Sequence, residues 1–175
     1  MSTSQTHVLL VSGPAGVGKS TLGYEIATQL REAGVAHVLL DSDELDRVWP
    51  LSRSDQDALN QANLAAFWAN ASALGHDHLI LVGGFLDPDA ERIWIDPAIP
   101  DAKVTRIVLD ATDDELERRV RIREIGSGAE GQLTRTLTQA REFRRRNAES
   151  PDLLTTNGVD VRDLARRVIH VVGWA

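Results

Sequence analysis

The chain has 175 residues, 42% of them hydrophobic, which suits one domain large enough to bury a core. A net charge of −7 and a pI near 5.2 oppose long-range attraction to nucleic acid or anionic membrane, so neither partner is expected. There is no cysteine, which excludes disulfides and thiol catalysis; with no apolar run near the ~20 residues of a membrane span and a polar, leader-free start at Met1 to Thr6, the expected location is cytoplasmic.

In chain order, His7-Val8-Leu9-Leu10-Val11 reads as a buried strand. It leads into Gly13-Pro14-Ala15-Gly16-Val17-Gly18-Lys19-Ser20, which fits the phosphate-binding pattern G-x-x-x-x-G-K-[ST] at every position. The glycines let successive backbone N–H groups converge on phosphate oxygens, and the following helix adds its unpaired N–H groups and positive dipole end. Lys19 can bring a cation to the β- and γ-phosphates, and Ser20 offers a hydroxyl to Mg²⁺. The run Gly13 to Thr21 is therefore the expected nucleotide site. Leu22, Ile26 and Leu30 recur every four residues behind it, the spacing of one helix face.

Ala36 to Leu40 reads as a second strand that ends in Asp41-Ser42-Asp43. Ligands of open parallel sheets sit beyond the carboxyl ends of the strands, so both carboxylates are expected to face the crevice of the glycine loop. Asp43 to Trp49 is expected as a short helix stopped by Pro50, and Asp55 to Leu74 as a long one. His78 to Val82 gives a third strand running into Gly83-Gly84-Phe85. Pro88, Pro97 and Pro100 leave a short helix near Asp89 to Trp94 and then an irregular connection. Lys103 to Leu109 is the fourth strand. Thr112 and Glu115 form a capping box for a helix ending around Glu124. Ile125 to Gly131 is glycine-rich and expected to move, Leu133 to Ala148 is a basic helix, Pro151 to Thr156 a fifth strand, Asn157-Gly158 a turn, and Asp160 to Val172 a last helix. Alternating strands and helices imply a three-layer, doubly wound α/β fold with a five-stranded parallel sheet, one domain over 1–175.

With the glycine loop, Asp41-Ser42-Asp43 after the second strand, Gly83-Gly84 after the third, and Arg119 and Arg123 before a glycine-rich segment, the chain resembles the small P-loop kinases. These are the phosphotransferases grouped around shikimate kinase, gluconate kinase, adenylylsulfate kinase and chloramphenicol phosphotransferase, with a nucleoside-monophosphate-kinase-like fold. The resemblance implies ATP and Mg²⁺ as cofactors, a small hydroxylated molecule as acceptor, and a monomer or homodimer. It gives Asp41 a contact to Mg²⁺ beside Ser20, and Asp43 the task of holding the acceptor hydroxyl and taking its proton. Arg119 and Arg123 would address ATP from a lid around 124–134, Arg123 meeting the charge of the transferring phosphoryl group. Gly83 and Gly84 would let the acceptor approach the backbone, with Arg47 close by, and Asn157 would lie where this fold meets the base.

Plainer roles stand beside these. Asp41 to Glu44 could cap the helix after them, and Arg119 and Arg123 could belong to a solvated face paired with Glu115, Glu117 and Glu124. Arg141, Arg144, Arg145 and Arg146 are expected to pair with Glu142 and Glu149, although they could bind an anionic acceptor; Arg135 and Gln139 share another face. Two other activities remain open in the sequence. A nucleotide-driven switch would act through a protein partner, and a nucleic-acid-end kinase would need a basic groove.

Overall fold

Five apolar runs form one parallel sheet in the computed structural model: β1 (His7–Ser12), β2 (Val38–Asp41), β3 (His78–Gly83), β4 (Lys103–Asp110) and β5 (Leu153–Thr155), in the order β2-β3-β1-β4-β5. Between them lie α1 (Lys19–Glu32), α2 (Arg53–Ala73), α3 (Pro88–Ala98), α4 (Asp113–Arg123) and α5 (Ala129–Asn147), with α6 (Val161–Val172) last. The structure describes residues 5–84, 88–123, 129–148, 150 and 153–175, with the side chains of residues 53, 88–91, 123 and 129 outside that description.

The central strands are apolar at successive positions because both faces of the sheet are covered. Leu9, Val11, Ile80 and Val82 point to a core closed by Leu22, Ile26 and Leu30 of α1 and by Leu164, Val168 and Ile169 of α6. Val8, Leu10, Leu79 and Leu81 point the other way, onto Leu64 and Trp68 of α2 and Ile95 and Ile99 around α3. The first helix is drawn close to the sheet at Gly23. A Cβ there would stand 2.7 Å from Val82 Cγ2 and 3.2 Å from Leu39 Cδ1. Among the described residues, no helix is long and apolar enough to cross a membrane.

Three elements depart from the sequence expectation. Asp43 to Trp49 is no helix: a 3₁₀ turn at Ser42–Glu44 is all that coils. The Asp41 carboxylate accepts the Asp43 N–H at 3.1 Å, a local bond that competes with helix formation. Beyond it, Asn60 of α2 donates to Asp46 at 3.1 Å and Asn63 to the Leu45 carbonyl at 2.6 Å, so the segment is stretched across α2. The third helix runs longer than expected, because Pro88 occupies its first position, where no N–H partner is needed, and Ile95 and Ala98 seat its end in the core. The capping box of α4 forms by half. Thr112 Oγ1 accepts the Glu115 N–H, but Asn157 takes the Thr112 N–H and Glu115 turns to Arg118 and Arg119.

Of the lid expected around 124–134, residues 124–128 lie outside the described residues and 129–134 form the first turns of α5.

Candidate functional site

The carboxyl end of β1 delivers the chain into a turn that only glycine fits. At Gly13 a Cβ would lie 2.7 Å from the Leu109 carbonyl oxygen and 2.9 Å from Val17 Cγ1. Gly18 adopts φ 106°, a region L side chains avoid, and no side chain caps α1 behind it. The first-turn N–H groups of α1 are therefore available to an anion. Lys19 Nζ lies over the loop, donating to the Pro14 carbonyl at 3.1 Å.

The carboxyl end of β2 stands beside this loop. Ser20 Oγ donates to Asp41 Oδ2 at 2.8 Å, while Asp41 Oδ1 accepts the Asp43 N–H, so one carboxylate fastens α1 to the 3₁₀ turn. Asp43 keeps solvent contact, yet desolvation by the surrounding loop, and then the neighbouring Asp41 charge, hold its carboxyl above the ordinary range; Lys19 opposes them.

Two cavities meet here. The larger, about 570 Å³, runs along Ala15 to Leu22 and is walled by Asp41, Asp43, Arg119, Val120, Thr156, Val159, Val161 and Leu164. The smaller, about 290 Å³, is lined by Gly13, Pro14, Gly84, Arg135 and Gln139, and it shares Ala15, Lys19, Asp43 and Gln132 with its neighbour. Its lining combines the polar groups of Lys19, Ser20, Asp41 and Asp43 with the apolar Val159, Val161 and Leu164, a mix that suits a ligand with a charged part and a flat ring.

Arg119 joins the two banks of the larger cavity. Its Nη1 donates to the Val17 carbonyl at 2.7 Å and to Thr156 Oγ1 at 3.0 Å, its Nη2 to the Thr156 carbonyl at 3.0 Å, and its Nε to Glu115 at 2.7 Å. Hydrogen bonds from Arg118 and Arg119 hold the Glu115 carboxyl well down, at about 2.

Other expected residues fall elsewhere. Arg47 pairs with Glu44 at 2.6 Å in solvent, Gly83 is buried in β3 opposite Ser12, and Asn157 is occupied with Thr112; none of them lines either cavity. The side chain of Arg123 lies outside the described residues, as does Phe85. The basic cluster of α5 pairs with carboxylates of its own helix, of β4 and of α4, while Glu149 lies outside the described residues. Arg144 reaches Asp110 and Asp113, Arg145 and Arg146 share Glu142, and Arg141 lies 3.7 Å from Asp113. Sequence reasoning missed Gln132 and the apolar wall of Val159, Val161 and Leu164. The spacing of Gln132, Arg135 and Gln139 on one helical face was the available signal for the first.

A family model described as an AAA domain matches residues 8–148. Among solved structures, the chain is similar to the tunicamycin resistance protein of Deinococcus radiodurans, with a TM-score of 0.63 and 15% identity over 98% of each chain. It is similar to a gluconokinase from Sinorhizobium meliloti 1021 (0.60, 16%, covering 95% of this chain and 91% of that one). The APS kinase of Mycobacterium tuberculosis gives 0.59 and 21%, covering 97% and 98%. These likenesses show the fold, a five-stranded parallel α/β sheet of the P-loop NTPase type. A twitching motility protein of Neisseria gonorrhoeae is 35% identical over 92 residues, 51% of this chain; the chain spans about a quarter of that protein's length, 25%.

Proposed function

The chain belongs to the AAA-domain family of P-loop proteins, and on that premise we propose that it is an ATP- and Mg²⁺-dependent kinase acting on a hydroxyl of a small molecule. The observation that carries this reading is the meeting of two cavities at Lys19 and Asp43, one suited to a nucleotide and one smaller. A phosphotransferase needs such a junction, because donor and acceptor must be held in line with little else for the protein to do. The kinases among the solved relatives support the same reading.

The residues present fit the cofactor. The glycine loop turns through positive φ at Gly13, Gly16 and Gly18, a backbone that favours glycine, and Ser20 and Asp41 offer the oxygen donors that Mg²⁺ takes. Ser20 and Asp41 would hold Mg²⁺, which would supply positive charge against the phosphate charge. Gly13 to Thr21 cradle the phosphates, Lys19 turns from the Pro14 carbonyl to the β- and γ-oxygens, and Arg119 keeps the base-side wall against the loop. Asp43 orients the acceptor hydroxyl and takes its proton as the oxygen bonds to the γ-phosphorus and ADP departs. Its raised pKa makes it a stronger base than an ordinary carboxylate.

The test is ADP release by purified protein with Mg²⁺–ATP against a panel of hydroxylated small molecules. Acceptor-dependent release with a phosphorylated product, lost in Lys19→Ala and Asp43→Asn, is the expected result. If no acceptor raises turnover and Asp43→Asn leaves the basal rate intact, the kinase reading falls and a nucleotide switch replaces it.

A further inference from the structure

We infer that Thr156, the first residue after β5, is a positioning residue for the glycine loop: its hydroxyl holds the Val17 carbonyl and thereby aims the Gly18 N–H at the nucleotide phosphates. This rests on the reading of that loop as a phosphate site, whatever the acceptor. Three observations carry it.

The peptide between Val17 and Gly18 is not fixed by its neighbours in sequence. The Leu22 N–H closes the first turn of α1 on the Gly18 carbonyl at 2.9 Å, one residue beyond Val17. Gly18 sits at φ 106°, and a glycine without a Cβ can also take the orientations to either side of it. The freedom that lets the loop approach an anion thus leaves this peptide plane able to turn.

Two donors from other elements meet the Val17 carbonyl. Thr156 Oγ1 donates to it at 3.1 Å and Arg119 Nη1 at 2.7 Å. In a trans peptide the carbonyl and the N–H of one plane point in opposite directions. Tying the carbonyl to Thr156 and Arg119 therefore turns the Gly18 N–H away from both, at a residue that lines the larger cavity.

Thr156 is itself held by the sheet. Its N–H donates to the Asp110 carbonyl at 2.9 Å, one step past the pairing of Asp110 with Thr155, and its carbonyl accepts Arg119 Nη2 at 3.0 Å. The hydroxyl accepts Arg119 Nη1 at 3.0 Å, which leaves its one proton for a carbonyl. Of the two in reach, Val17 at 3.1 Å is nearer than Asp110 at 3.3 Å, and Asp110 already takes the Thr156 N–H. A hydroxyl engaged in this way acts on a ligand through the peptide it holds. The edge of the sheet thereby sets the orientation of a loop 139 residues away in sequence.

Calorimetry and amide NMR on the full chain test this. Tripolyphosphate, which has phosphates and no base, is titrated with Mg²⁺ into the wild type, Thr156→Val and Thr156→Ser. Valine keeps the branched shape and loses the hydroxyl, and serine keeps the hydroxyl. Affinity is expected to weaken about 3- to 10-fold in Thr156→Val and to return to within about twofold of wild type in Thr156→Ser. Adenosine, which has the base and no phosphate, should bind all three alike. In wild-type spectra the Gly18 amide should move downfield as tripolyphosphate binds, and it should move less in Thr156→Val.

A wild-type Gly18 amide that stays in place, or no binding of tripolyphosphate at all, overturns the inference without recourse to a variant. Affinity indifferent to Thr156→Val overturns it, as does an equal loss in valine and serine variants, which would make the effect one of packing. A loss confined to adenosine would assign the hydroxyl to the base. These outcomes leave the kinase reading to its own test, acceptor-dependent ADP release. If tripolyphosphate binding follows the hydroxyl but no acceptor raises ADP release, the positioning role stands and the kinase reading falls.

Discussion

Ser20 Oγ and Asp41 Oδ2 lie 2.8 Å apart, joining the first turn of α1 to the carboxyl end of β2. A hard divalent ion needs oxygen donors held at fixed separation, and here two consecutive elements bring together hydroxyl and carboxylate oxygens from residues 21 positions apart.

If these two residues hold Mg²⁺, Asp41→Asn and Ser20→Ala each raise the Mg²⁺ concentration that half-saturates ATP turnover, by about 10- to 100-fold. A Mg²⁺ titration at fixed ATP reads the shift. Unchanged Mg²⁺ dependence in both variants would remove them from the metal site.

If Asp43 is the base, it ties activity to stability in opposite senses. Its folded pKa lies above the ordinary 3.8, so between the two values the folded protein binds the extra proton, and the associated stability is lost as pH rises through the folded pKa. At neutral pH the ionised carboxylate is therefore a burden on the fold. Asp43→Asn should raise Tm at pH 7 while removing acceptor-dependent turnover, and the wild-type rate should decline on acidification at a pH above 3.8. Scanning calorimetry and a pH–rate profile check the two halves; a fall in Tm would mean that the carboxylate is stabilising.

Arg119 makes bonds that no single ammonium can copy. Three acceptors, the Val17 carbonyl, Thr156 Oγ1 and the Thr156 carbonyl, are met by the two Nη atoms of one guanidinium. Arg119→Ala is expected to cost about 1–3 kcal/mol and to raise KM for ATP, with Arg119→Lys recovering little of either. Urea unfolding measures the first and steady-state kinetics the second. Full recovery by lysine would show that charge alone matters there.

At the opposite end of the sheet, His7 faces His78, with ring centroids 5.7 Å apart, and His78 stacks edge-on against Trp174 at 4.7 Å. Burial, and then Lys103, lower the His7 pKa below 6.5. The unfolded chain protonates this ring first, so the protein should lose stability as pH falls below 6.5 toward the folded pKa. Tm measured from pH 8 to pH 5 should fall less in His7→Gln than in the wild type. Parallel curves would clear His7 of the effect.

What the sequence determined by itself was local. The eight residues Gly13 to Ser20 declare an anion cradle, because the turn demands glycine and the chemistry demands Lys19 and Ser20 at fixed offsets. The five strands were legible as apolar runs, and the placement of Asp41 and Asp43 followed from the rule that parallel sheets bind ligands at their carboxyl ends. The tertiary structure decided which side chains from distant segments arrive there. Arg119 reaches Val17 across 102 residues and Thr156 reaches it across 139, separations that no local pattern encodes. It also uncoiled Asp43 to Trp49, where side chains of α2 outbid a marginal helix, and it turned Asn157 to Thr112. Most of all it sorted the arginines of α5. Alike in sequence, they differ in what stands opposite: carboxylates for Arg144, Arg145 and Arg146, and a cavity for Arg135.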